Sequence, residues 1–119
     1  MSRSKGARYE QLALKHLVAE GLELVEQNFQ CRLGEVDLIL RDRNCLVFVE
    51  VRYRSSNRFA SAAHSVDERK QAKIARTAAM FLGKHPGLSD HRIRFDVIAF
   101  DRPESDPCEL QWTRDAFRI

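Results

Sequence analysis

The sequence predicts an α/β fold: a mixed β-sheet flanked by α-helices, in the order α-β-β-β-α-β-β. Three observations predict it. Two stretches repeat apolar residues at helical spacing, three β-rich runs lie between them, and further β-rich runs follow the second. The second helix also joins a hairpin strand to a later strand, a crossover that makes those two strands parallel.

The first helix runs from about Lys5 to Glu20, with Ala13, Leu14 and Leu17 on one face and Gly21 where a helix C-terminus favours positive φ. Leu22 to Phe29 alternates apolar and polar residues as a strand does. Gly34 to Leu40 and Cys45 to Tyr53 follow, and the polar cluster Asp42-Arg43-Asn44 between them reads as a hairpin turn. Beyond a polar loop, Arg54 to His64, the segment Ser65-Val66-Asp67-Glu68 has the S-x-x-E pattern of a capping box and starts the second helix. That helix carries Ile74, Ala75, Ala78, Phe81 and Leu82 on one side and Arg69, Lys73 and Arg76 on another, and ends at Pro86-Gly87. Arg92 to Phe100 is a strand, a short one lies near Leu110 to Trp112, and the tail turns around Asp115.

The 119 residues, 44% of them apolar, suffice for one domain over 1–119 that folds without metal or disulfide staples. No apolar run reaches membrane-helix length, and Met1 to Gly6 lacks a signal-peptide core, so a cytoplasmic location and no membrane partner are expected. Cys31, Cys45 and Cys108 form no zinc-type or CxxC pattern and read as small buried apolar residues. The net charge of +3 hides 20 basic residues against 17 acidic ones, 15 of the basic ones being Arg. Arg suits bidentate phosphate contact, although an Arg-biased codon usage gives the same count.

The hairpin concentrates acid. Strict alternation puts Val36, Leu38 and Leu40 on one face of its first strand, with Glu35, Asp37 and Ile39 on the other; Glu50 and Arg52 share a face of the second. With Arg43-Asn44 as the turn, Asp37 faces Glu50 and Glu35 faces Arg52, and a one-residue slip would bury a charge against valine. Opposed carboxylates repel, so the pair calls for a compensating cation, either a basic side chain or an oxygen-ligated Mg²⁺ or Mn²⁺. On the simpler alternative, Glu35 pairs with Arg52, Asp37 with another Arg, and the face is solvated. Glu10, on the apolar stripe of the first helix, and Asp96, amid Ile93 to Phe100, add two acids in apolar settings that side chains alone are hard put to neutralise.

Gly34-Glu35-Val36-Asp37-Leu38-Ile39 and Val47-Phe48-Val49-Glu50-Val51-Arg52-Tyr53-Arg54 resemble the YraN family of small bacterial proteins. Gly6, Glu10, Ala13, Gly21 and Asn28, then Lys70 and Lys73, then Phe95-Asp96-Val97 extend the resemblance over almost the whole chain. It implies a single nuclease domain of the restriction-endonuclease-like, PD-(D/E)XK superfamily, similar to Holliday-junction resolvases. The implied activity is a metal-dependent endonuclease acting on DNA, branched structures included. Asp37 and Glu50 match the superfamily's metal-binding acids, Arg52 the position usually held by its lysine, and Glu10 the helix glutamate that resolvases add. Permanently protonated, Arg52 cannot accept a proton from water, but it can hold the scissile phosphate.

The implied set is therefore catalytic Asp37, Glu50, Arg52 and Glu10, with Asp37, Glu50 and Glu10 holding Mg²⁺ or Mn²⁺. Glu35 either orients those acids or pairs with Arg52. DNA is expected to lie along Arg54, Arg58, Lys70, Lys73 and Arg76, whose bland reading is a solvated basic face. Resembling resolvases suggest a homodimer. The competing class is a catalytically inactive nucleic-acid-binding module that keeps the nuclease fold, for which Arg52 argues. A third is an adaptor that docks through exposed Trp112 and Phe117.

Overall fold

The computed structural model describes residues 2–54, 63–101 and 109–118; Arg58 and Cys108, both singled out above, lie outside them. Helix α1 spans Ser2–Ala19 and α2 spans Glu68–Lys84; the strands are β1 (Glu23–Cys31), β2 (Gly34–Asp42), β3 (Cys45–Arg54), β4 (Arg92–Asp101) and β5 (Glu109–Phe117). They form one five-stranded sheet in the order β1-β2-β3-β4-β5, antiparallel except for the β3–β4 pair. Element order and the parallel crossover pair are those the sequence predicts, and the architecture is compatible with a restriction-endonuclease-like fold. No described helix is long and apolar enough to cross a membrane.

Each helix covers one face of the sheet. Tyr9, Ala13 and Leu17 of α1 pack with Leu38, Leu40, Val47, Val49, Ile98 and Phe100. On the other side Ile74, Ala78 and Phe81 of α2 pack with Phe29, Val36, Ile39, Phe48 and Val97. Helix α1 stops where Gly21 takes φ +99°, a conformation glycine adopts without a Cβ penalty.

Helix α2 starts differently from its capping-box expectation. Ser65 closes a short 3₁₀ turn, Ala63–Ser65, and the N-cap is Asp67, whose carboxylate accepts the Lys70 amide at 2.9 Å. Asp serves as well as Ser at an N-cap, and here it is the residue adjoining the first helical turn.

The β2–β3 hairpin has the expected two-residue turn, with Arg43 at φ +58°, and the expected register from Asp42–Cys45 to Leu38–Val49. Strict alternation fails just beyond. Val36 packs on the α2 side with Ile39, whereas Leu38 and Leu40 pack on the α1 side. Asn28 at φ +52° lies between the β1 partners of Val36 and Leu38 and accounts for the slip, since Asn tolerates the left-handed region better than most residues.

One acid serves the sheet alone. Asp96, fully buried, accepts Nε and Nη2 of Arg94 at 2.9 and 3.0 Å, Nε1 of Trp112 at 3.0 Å and the Asp115 amide at 2.9 Å. It is thus neutralised by side chains and backbone, contrary to expectation. It also pins the register shift in β5 that faces it, so the predicted turn at Asp115, φ +51°, is a bulge inside a longer strand. Trp112 and Phe117, expected as an exposed docking surface, are instead half-buried and buried. Cys31 and Cys45 are free thiols and only half-buried, not fully buried as expected.

Candidate functional site

At the end of the β2–β3 ladder the strands part around two carboxyl groups. Instead of a backbone partner, the Val51 amide finds Oδ2 of Asp37 at 2.8 Å. The side chain of Asp37 thereby stands beside Glu50, the residue before Val51 in β3. Glu50 is 8% exposed, and its Oε2 is buried without a hydrogen-bond partner. Burial pushes the Glu50 carboxyl up to about 9, reinforced by a hydrogen bond with the Asp37 carboxyl and by that group's charge. Lys70 and Arg52 offset this only in part. A buried carboxyl with one oxygen idle is costly unless a cation or proton satisfies it.

Helix α2 supplies the cation: Lys70, expected as a DNA contact, stands beside Glu50 instead of apart from the acids. Nζ of Lys70 lies 3.7 Å from Oε2 of Glu50, an ion pair that spans the helix and sheet layers. Lys70 is near the site because Asp67 fixes the start of α2 one turn before it, on a helix that packs over β2, the strand next to β3. The sequence marks Lys70 through the resemblance; the packing of α2 over β1 and β2, which brings it to Glu50 on the neighbouring strand, has no sequence signal.

The other expected members divide. Arg52 is half-buried and its charge acts on Glu50, as expected of a neighbour, yet it makes no ion pair with Glu35. Glu35 is exposed, sits across from Gln30 in β1, and accepts the Gln30 amide Nε2 at 3.1 Å. The predicted Glu35–Arg52 opposition is lost because the β2–β3 pairing ends at Leu38–Val49. Glu10 is half-buried and borders a cleft of about 310 Å³ with Asn28, Glu35 and Asp37. That brings Glu10 and Asp37 to one cavity, but among the described residues no three Asp, Glu, His or Cys side chains stand close enough to hold an ion together. The three-acid site of Asp37, Glu50 and Glu10 is therefore not assembled in this conformation.

Of the expected DNA contacts, Lys73 and Arg76 are exposed on α2. Arg54 points elsewhere: its Nε donates to Oδ1 of buried Asp101 at 2.7 Å, across the parallel pair β3–β4. This ion pair commits Arg54 to the sheet and explains Asp101, a fully buried acid sequence reasoning passed over.

The residues fit a hard divalent cation through an incomplete set. Asp37 and Glu50 offer oxygen donors, one of them buried and unsatisfied. Mg²⁺ asks for little more, since it keeps several waters and takes one or two carboxylates together with substrate phosphate.

The sequence profile of an uncharacterised protein family, UPF0102, matches residues 9–100. Among similar proteins is a UPF0102 protein of Nitrosococcus oceani, 44% identical over 117 residues, 98% of this chain and 94% of its own length. UPF0102 proteins of Stutzerimonas stutzeri and Xanthomonas oryzae pv. oryzae are 46% and 47% identical over 116 residues, covering 98% of this chain and 96% and 93% of theirs.

Proposed function

Since the chain belongs to the UPF0102 (YraN) family, of which the names give no activity, we propose that it is a metal-dependent endonuclease acting on DNA. The observation that carries this reading is the Asp37–Glu50 pair, with a buried carboxylate oxygen that no hydrogen bond satisfies. Structural acids in this protein look different: Asp96 has every oxygen engaged, and Asp101 holds Arg54. An acid pair left short of positive charge at the open end of a hairpin is built for a ligand.

Asp37 and Glu50 would hold Mg²⁺ or Mn²⁺, with Glu10 reaching it through water from the adjoining cleft. Bound there, the ion would lower the pKa of a water, neutralise the phosphate and steady the leaving oxygen. The chain's own residues do the rest. Val51 fixes the Asp37 carboxylate through its amide, so one ligand is aimed before substrate arrives. Arg52, unable to act as a base, would bind the scissile phosphate and stabilise the charge that develops on it. Lys70, Lys73 and Arg76 along α2, with Arg58, would hold the DNA backbone without reading sequence.

Cleavage of branched and single-stranded DNA in Mg²⁺ or Mn²⁺ tests the proposal. Wild type should cut, while Asp37→Asn and Glu50→Gln should lose at least about a hundredfold in rate, on the order expected when a charge-stabilising group is removed. Equal cleavage by all three proteins would refute it. A second reading, a binding module without turnover, is favoured by Arg52 in the lysine position and by the absence of a three-acid group among the described residues. DNA binding that is intact without divalent ions, in a protein whose calorimetry shows no Mn²⁺ uptake, would establish the module instead.

A further inference from the structure

We propose that Lys70 stands in for the divalent cation at the Asp37–Glu50 pair, yields its place when the ion enters, and then moves to the substrate phosphate. The inference rests on the metal reading above and names a residue that couples ion entry to phosphate binding. Three observations converge on it. Oε2 of Glu50 is buried and without a hydrogen bond, and the ammonium at 3.7 Å aims at it from beyond hydrogen-bonding distance. The Lys70 side chain is 37% exposed against 9% for Glu50, so the lysine can withdraw while the acid cannot. Finally, a cleft of about 290 Å³ opens on the side of Lys70 away from the acid pair, lined by Gln30, Gly34, Glu35, Lys70 and Lys73.

That cleft is shaped to receive the withdrawn ammonium and an anion together. Gly34 has φ +150°, and a Cβ there would meet Thr77 Oγ1 at 3.0 Å and Lys73 Cγ at 3.2 Å. The Lys73 stem therefore lies across Gly34, which sets the second lysine on the cleft wall. Glu35 lines the same cleft with its carboxylate held by Gln30, so a backbone phosphate would meet two positive charges against one negative, one of the positive charges released by ion binding. Two cations cannot share one buried carboxylate without repulsion, so Lys70 and the ion compete for Glu50. Phosphate then offers Lys70 the charge it gives up. In this scheme the ion and the substrate bind cooperatively, because each removes the cost of displacing Lys70.

The test uses the full chain and two probes: Mn²⁺ alone, followed by calorimetry at pH 8, and a labelled ten-nucleotide oligothymidine in saturating Ca²⁺, followed by anisotropy. In Lys70→Met and Lys70→Gln, Mn²⁺ affinity should rise about three- to tenfold as the competing charge is removed, while oligonucleotide affinity falls by at least about fivefold. Lys70→Arg, which keeps the charge, should stay near wild type for Mn²⁺. A merely structural lysine would move both affinities down together or neither. Equal or weaker Mn²⁺ binding in both neutral variants, or unchanged oligonucleotide binding, would overturn the role of Lys70 alone. Absence of Mn²⁺ binding in wild type and variants alike would instead remove the metal reading, and this inference with it.

Discussion

Burial beside Asp37 favours the protonated form of the Glu50 carboxyl and the charge of Lys70 opposes it, and the balance has a sign that can be measured. The folded-state pKa of Glu50, about 9, lies above its ordinary value of 4.5. The stability this group contributes is therefore fully present below about pH 4.5 and is lost as pH climbs toward 9, at up to about 1.4 kcal/mol per unit. Asp37→Asn removes the opposing charge and keeps an oxygen for the Val51 amide. Melting in chelator should show wild type losing more stability between pH 6 and 8.5 than the variant, by roughly 1 kcal/mol; equal losses would mean that the two carboxyls do not interact. At this scale the sequence was informative about which acids lie close together and silent about how each is satisfied. The nearness of Asp37 and Glu50 was legible because the two-residue turn sets the register, which holds up to the Leu38–Val49 pair beside them. The contacts of Lys70, Arg54 and Asp96 depend on tertiary packing, on a parallel register and on a bulge, none of which has a local pattern.

Among the elements, α2 shows how a correct boundary can rest on the wrong residue. The S-x-x-E pattern and the Asp67 cap differ by two positions in where the first turn begins, and so in which way Lys70 points. Asp67→Ala should cost about 1 kcal/mol in urea unfolding; no loss of stability in that variant would restore the capping box. The same shift by a residue or two recurs in β2, where Val36 leaves the face assigned to it because Asn28 takes a left-handed backbone. Both errors are local. Helix and strand periods survive them, which is why element order and the parallel crossover were legible while the facing of single residues was not.

Among the described residues, α2 presents exposed positive charge next to the acid pair. Lys73 and Arg76 are exposed, and Lys70 leans over Glu50. If these charges meet phosphates, log Kd for duplex DNA against log salt should change slope by about 1 for each of Lys73→Met and Arg76→Met. Arg54→Met should leave the slope unchanged, because its guanidinium is engaged with Asp101. An equal change from all three would place DNA along the sheet end rather than the helix. The sheet carries one more consequence. Its border strands, β1 and β5, are both disrupted: β1 by a register shift between Leu24 and Glu26 and by Asn28, β5 by the Asp115 bulge. A kinked border resists extension by a neighbour's strand and with it amyloid-like growth. Two copies gathered on a double-stranded substrate would accordingly clasp through helices or connecting segments, each keeping its own five-stranded platform.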